Sequence, residues 1–310
     1  MQLPVDPAKM KKVAEEVLGE IESSIVVNVY VDSTCNEKLV KSLEAHLNTA
    51  SDAVRLNFID LAQKKLHMEL EPDFAIVLAG EDKYSVLTYA ALQIKDVPAL
   101  IICLDPHYII DAANANDVAV RKCDVICPSY KTYTWVDNEG EKSIDFSDYN
   151  SAMDLSIKKK FTDWLYIYSE VVQISYAAHF PFLRPAISRR VINACSIENA
   201  GVGALKILPG ADMPIMTLNQ GRMIMELAAI YGYSISADRL VEIVVLVLSA
   251  FGLRALSNYI NDEVPIPEFI VDAVFGFGGT QLLGYAAREY FAYGLAPDGL
   301  VEKCKNLLKK

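Results

Sequence analysis

Long apolar runs are missing from this chain of 310 residues, although its mean hydropathy of +0.21 is high for a protein in water. The charge-free runs 243–253 and 273–287, of 11 and 15 residues, stop short of the ~18–20 that a membrane-crossing helix needs. They suit buried helices better, and an interfacial or hairpin-like contact with a membrane stays open. Cysteine is sparse and unframed: Cys35, Cys103, Cys123, Cys127, Cys195 and Cys304 form no series of close pairs. The N-terminal residues carry no apolar signal core, so a reducing cytoplasm is the expected setting. Cys123 and Cys127 lie four apart, but none of the four histidines is near them in sequence. Buried thiols are therefore expected there, and no metal site. Neither G-x-S-x-G nor H-E-x-x-H occurs, and no paired acid/base constellation stands out.

Positive charge is what the first half lacks. Residues 1–150 carry 14 Lys and Arg against 25 Asp and Glu, whereas 151–310 carry 15 against 15, so the whole net charge of −11 sits in the first half. Such a surface repels phosphate backbones, which argues against nucleic acid as a partner. The shift in composition also suggests a domain boundary: 1–150, a linker at 151–163 containing the basic run Lys158 to Lys160, and an apolar domain at 164–310.

What is present in the first half is alternation. After an amphipathic helix at about 7–22, the run SIVVNVYV (24–31) has the length and β-branched content of a strand buried on both faces. Helical spacing follows at 37–47, strands at 53–59 and 73–79, a helix at 83–94, and strands at 97–104 and 123–127. This order predicts an α/β, Rossmann-like domain with a mostly parallel sheet and helices on both faces. TYTWVDNEGEKSIDF, with turn chemistry at 137–140, predicts an appended hairpin.

Ligands of such folds bind beyond the carboxyl ends of the strands. The loop after the first strand reads DSTCNEKL. Set against G-x-x-x-x-G-K-[ST], it keeps Lys38 but places Asp32 and Glu37 where glycines belong, and Leu39 where a hydroxyl would hold magnesium. A carboxylate there sets negative charge against a phosphate. Asp60 falls where D-x-x-G would begin, but the sequence is DLAQ; Cys103-Leu104-Asp105-Pro106 stands where N-K-x-D would fall; and Ser129-Tyr130-Lys131 is similar to an S-A-K loop. Over roughly 110 residues this half resembles a P-loop GTPase domain that has lost its phosphate loop. The resemblance marks Asp32, Thr34, Lys38, Asp60, Asp105 and Ser129 as a vestigial nucleotide pocket. The alternative from the residues alone is a parallel-sheet domain that never bound nucleotide, with Lys38 on the surface, Asp60 a loop or cap residue and Asp105 a turn former.

In the second half, helical spacing predicts helices at about 162–178, 185–207, 212–231, 236–260 and 267–293, with Pro and Gly at the breaks. The glycines of GFGGT either break the last helix or admit a close neighbour. Arg222 and Glu226 share a helix face, inter-helix ion pairs are expected for the remaining charges, and His179 reads as structural. FPFLRPAISRRVINACSIENA, LPGADMPIMTLNQGRMIMELAAIYG, LVEIVVLVLSAFGLRAL and FGFGGTQLLGYAAREYFAYG follow one another from Phe180 to Gly294. With Pro209, Asp212, Gln220, Met223, Tyr231-Gly232, Gly278-Gly279-Thr280 and Tyr290-Phe291, this half resembles a bacterial domain of unknown function that accompanies GTPase domains. The resemblance implies that these residues are structural or partner-binding. Some relatives carry an intact GTPase domain upstream, from which this chain departs at the phosphate loop.

Three expectations follow. The first is a non-catalytic scaffold whose helical half binds a protein partner such as a GTPase, itself or a membrane, with no cofactor. The second is a nucleotide-binding switch using Lys38, Thr34 and Ser129 without standard motifs. The third is a protein on the cytoplasmic side of a membrane that inserts helices 236–260 and 267–293 as a hairpin.

Overall fold

A computed structural model describes residues 7–49, 51–63, 71–128, 133–137, 140–144, 149–168, 173–205, 212–233 and 268–294. Ser129, Pro209 and the expected helix 236–260 lie outside the described residues. The chain divides into two compact units, Ser24–Gln173 and Met1–Ser23 with Ile174–Lys310.

The first unit is built on β1 (Ile25–Val31), β2 (Val54–Asp60), β3 (Phe74–Ala79), β4 (Ala99–Cys103) and β5 (Val125–Ile126), all parallel, in the order β2-β1-β3-β4-β5. β3 and β4 are buried at every residue, as their unbroken apolar runs require of central strands. No residue of β2 is fully buried, as befits an edge strand. The connections are α2 (Glu37–Leu47), α3 (Tyr84–Ile94) and α4 (Pro106–Ala115), numbered after an N-terminal helix α1 (Pro7–Ile21). One face packs Tyr30, Ala75, Val77 and Ile101 against Val86, Tyr89 and Leu92 of α3 and Ile109 of α4. On the other, Phe74 meets Phe161 and Trp164 of α5 (Ser151–Tyr168) edge-on, with centroids 6.0 and 6.2 Å apart. This is the expected α/β layer structure. The hairpin β6 (Tyr133–Asp137) and β7 (Gly140–Ile144) forms a sheet of its own, and Gly140 supplies the φ of +121° at its turn.

Two sequence expectations are corrected here. The segment 151–163 is no linker: it is most of α5, and Met153, Ile157, Phe161 and Trp164 recur at helical spacing beneath the basic run. The helix expected at 162–178 is in fact the end of α5 and a separate α6 (Gln173–His179). The helical unit therefore starts near 174 and includes α1.

Two carboxylates tie α5 down within the first unit. Asp154 accepts from Ser42 and His46 of α2, from Tyr149 Oη and from Lys158. Fully buried Asp124 accepts from Tyr89 Oη at 2.6 Å, Arg121 Nε at 2.8 Å, Trp164 Nε1 at 3.0 Å and Tyr168 Oη at 2.7 Å. Burial pushes both carboxyls up, but the donors outweigh it: Tyr89, Tyr168, Trp164 and Arg121 hold Asp124 below its ordinary 3.8, and Lys158, Ser42, His46 and Tyr149 do the same for Asp154. A depressed carboxyl contributes stability that is complete above the unfolded value and is lost as pH falls through the folded one. The urea midpoint of the first unit is thus expected to fall below about pH 4, and Asp154→Asn to shrink that fall. A midpoint unchanged from pH 5 down to pH 3 in the parent protein would contradict this.

The second unit packs α7 (Arg184–Leu205), α8 (Asp212–Ile230) and α9 (Glu268–Tyr293) together, with α1 against α8. From Met223 to Ile230 nearly every side chain of α8 is buried, which makes α8 the central helix. Helix α8 ends in a Schellman turn: Tyr233 N donates to Ala228 O and Gly232 N to Ala229 O, with Gly232 at φ +81°. Arg222 pairs with Glu226 one turn on, on the shared helix face that their spacing predicts, whereas Arg288 pairs with its neighbour Glu289 within α9, where an inter-helix pair is the sequence expectation.

The GFGGT glycines do not break α9, which runs unbroken through them. The close neighbour is found at Gly276, where a Cβ would stand 2.6 Å from Asn199 O of α7, while a Cβ on Gly278 would meet nothing within 4 Å. Opposite signs follow for the same substitution. Gly278→Ala is expected to gain up to about 1 kcal/mol in helix propensity. Gly276→Ala gains the same but is expected to lose about 1–2 kcal/mol net, because the rigid α7 backbone must give way. Chemical denaturation of the two variants checks the pair; equal effects would contradict it.

Candidate functional site

The carboxyl edge of the sheet is where this topology places ligands. In the order 2-1-3-4-5 the crevice opens between β1 and β3, whose connections leave in opposite directions. Asp32 is the first residue beyond β1, and its amide donates to Leu78 O of β3. Its side chain is 2% exposed. Oδ1 accepts from Thr34 N at 2.9 Å and Thr34 Oγ1 at 2.8 Å, and Oδ2 accepts from Ser85 Oγ of α3 at 2.9 Å. Thr34 Oγ1 in turn accepts from Glu81 N, in the loop after β3, at 2.8 Å. The two loops flanking the crevice are thereby stapled to each other. Gly80 is what lets them approach, for a Cβ on it would press against Thr34 Oγ1 and stand 2.5 and 2.7 Å from Thr34 C and Cys35 N.

The start of α2 is also closed. A phosphate loop offers bare amides at this helix N-terminus. Here Asn36 caps the helix, its Oδ1 accepting from Lys38 N at 3.0 Å and Leu39 N at 3.3 Å. The Lys38 side chain is exposed. Asp60, register partner of Val31 at the same edge, accepts from Ala62 N and caps the 3-10 turn Leu61–Gln63. Asp105 caps α4 by accepting from His107 N, with Pro106 at the first helical position. The topology therefore brings Asp32, Thr34, Lys38, Asp60 and Asp105 to one edge of the sheet, but three of the five engage their own backbone or its neighbours as caps and turns. Sequence reasoning missed Ser85 and Gly80, which only the β1–β3 adjacency joins to Asp32.

A second polar cluster lies in the helical unit. Asn199 of α7, fully buried, donates through Nδ2 to Thr280 Oγ1 of α9 at 2.9 Å and accepts from Asn219 Nδ2 of α8 at 2.9 Å; Gln220 Nε2 reaches the same Thr280 Oγ1 at 3.1 Å. Gln220 and Thr280, sixty residues apart, thus meet at one buried network that fixes the register of the three helices. Met223 is buried at 1% and would be 3.0 Å from a Cβ on Gly284. Tyr231 lies under the Arg184 guanidinium, 5.8 Å from its centroid. Gly279 is half-buried and the Asp212 side chain lies outside the described residues. Among the described residues no group of His, Cys, Asp and Glu could hold a metal ion, and no helix is long and apolar enough to cross a membrane.

Two units carry these features: a parallel α/β unit with a stapled switch point, and a helical unit knit by a buried amide and hydroxyl network. Residues 180–264 match the family described as Domain of unknown function (DUF697), within the span 180–294 where the sequence resembles a domain of unknown function. No curated protein and no solved structure matches the chain.

Proposed function

We propose that this protein is a non-catalytic scaffold or interaction protein. Its α/β unit keeps the outline of a P-loop GTPase domain without its phosphate chemistry, and its helical unit binds a protein partner, such as a GTPase, or a second copy of itself. The observation that carries the reading is the buried Asp32 carboxylate, engaged with Thr34 and Ser85 in the crevice where a polyphosphate would lie. To bind there, a nucleotide would have to displace a buried anion and uncap α2. Glu81, Asp82 and Asp105 at the same edge add negative charge. The membrane reading loses support from α9, one arm of the expected hairpin, which buries Leu283, Ala286, Ala287 and Phe291 within the helical unit. Phosphate release from GTP or ATP by the full chain is expected to match that of Lys38→Ala and of buffer alone. Turnover that Lys38→Ala abolishes would overturn the proposal.

A further inference from the structure

Three cysteines that are far apart in sequence converge at the carboxyl edge of the sheet, a feature the scaffold reading does not use. The β4–β5 ladder pairs Ile101 with Val125 and Ile102 with Ile126, so the next rung sets Cys103 beside Cys127. Neighbouring strands lie ~4.7–4.9 Å apart, within the Cα separation of ~4.4–6.8 Å that a disulfide spans. Residues on one rung of a parallel pair project to the same face, and here Cys127 packs against the core cluster that contains Cys103, with its Sγ 3.1 Å from the carbonyl of Leu104, the residue after Cys103. The ladder ends at Ile126, so Cys127 can shift toward its neighbour without breaking a sheet pairing. Both residues are free thiols, Cys103 buried and Cys127 partly exposed, and Cys35 lies close enough to Cys103 to act on it electrostatically.

We propose that Cys103 and Cys127 form a peroxide-oxidisable dithiol, a modification site that closes to a disulfide between β4 and the end of β5. Cys127 is the sulfur a small hydroperoxide can reach. Its thiol form donates to Leu104 O at 3.1 Å, while its thiolate accepts from Cys103 and is favoured by the Lys160 ammonium, which donates to the Cys127 carbonyl. Cys103 is the partner that keeps its proton, since its bond to Cys127 and its burial push its thiol well above the ordinary range. In the first step the Cys127 thiolate attacks one peroxide oxygen. The S–O bond forms, the O–O bond breaks, the sulfur is oxidised to a sulfenic acid and hydroxide leaves. In the second, the Cys103 sulfur attacks the Cys127 sulfur. The S–S bond forms, the S–O bond breaks, and the departing hydroxyl takes the Cys103 proton and leaves as water. Overall, two thiols and one hydroperoxide give one disulfide and two molecules of water, or of water and alcohol for an alkyl hydroperoxide.

The test uses the full chain, reduced and then exposed to hydrogen peroxide, with remaining thiols alkylated under denaturing conditions and read by peptide mass spectrometry. Cys103 and Cys127 are expected to leave the alkylatable pool together, in one cross-linked peptide pair lighter by two hydrogen atoms and restored by dithiothreitol. Exposed Cys123 and buried Cys195 serve as internal comparators and stay alkylatable. Cys123→Ser is expected to leave the cross-link intact, whereas Cys103→Ser should abolish it and drive Cys127 on to the sulfinic acid. If Cys103→Ser fails to fold, the cross-linked peptides of the parent protein still show whether Cys127 joins Cys103, as expected, or Cys35 or Cys123, either of which overturns the proposal. The proposal is overturned if Cys127 pairs with Cys123, or if Cys127 over-oxidises in the parent protein while Cys103 remains alkylatable.

Discussion

Asp124→Ala is expected to destabilise the α/β unit by about 3–5 kcal/mol, the largest effect of any single substitution considered. The carboxylate is fully buried and receives Tyr89, Arg121, Trp164 and Tyr168, which come from α3, the segment before β5 and α5. Removing it strands the Tyr89 hydroxyl and the Trp164 indole N–H, and each buried donor left without a partner costs about 1–3 kcal/mol. Arg121 adds less, because its side chain is 49% exposed and water can solvate the orphaned charge. Asp124→Asn should recover part of the loss, since its amide oxygen still accepts while its NH2 faces donors it cannot serve. Urea denaturation followed by tryptophan fluorescence measures both. A loss below about 1 kcal/mol for the alanine variant would show that the hub is not what holds α5 on the sheet.

Gly80→Ala is expected to cost about 3 kcal/mol, although alanine is ordinarily a mild replacement. What a Cβ meets there is mostly backbone, Thr34 C at 2.5 Å and Cys35 N at 2.7 Å, which cannot swing aside as a flexible side chain would. The loop after β1 must move, and with it the bonds from Thr34 to Asp32 and from Glu81 N to Thr34 Oγ1. Stability and the switch point are thus coupled through one glycine. The outcome that counts against this is a Gly80→Ala protein with parent-like stability and an unchanged amide signal for Glu81.

Much of the sheet was legible because β1, β3 and β4 are unbroken apolar runs bounded by polar turns, and burial on both faces needs no long-range information to be recognised. The helix α4 was missed because Asp105-Pro106 reads equally well as a turn; the same pair is also an N-cap followed by the one position where proline suits a helix. The first part of α5 was misread because Lys158 to Lys160 dominate its composition, while Met153, Ile157 and Phe161 keep the helical period beneath them. At the edge of the sheet, the loss of the phosphate glycines could be seen in DSTCNEKL alone. The stapling of Asp32 could not, since Ser85 lies 53 residues away and only the adjacency of β1 and β3 brings it near. Nor could sequence choose between Gly276 and Gly278, because two positions along a helix turn a residue from its neighbour to open space.

The central claim is that the switch point is closed by the protein's own side chains and takes no polyphosphate. Isothermal titration calorimetry of the full chain with magnesium GTP, GDP and ATP at millimolar concentration tests it most directly. The expected result is dilution heat only, with no rise in melting temperature at the same concentrations, since any ligand that binds the native state must stabilise it. A saturable heat that disappears in Lys38→Ala would contradict the claim.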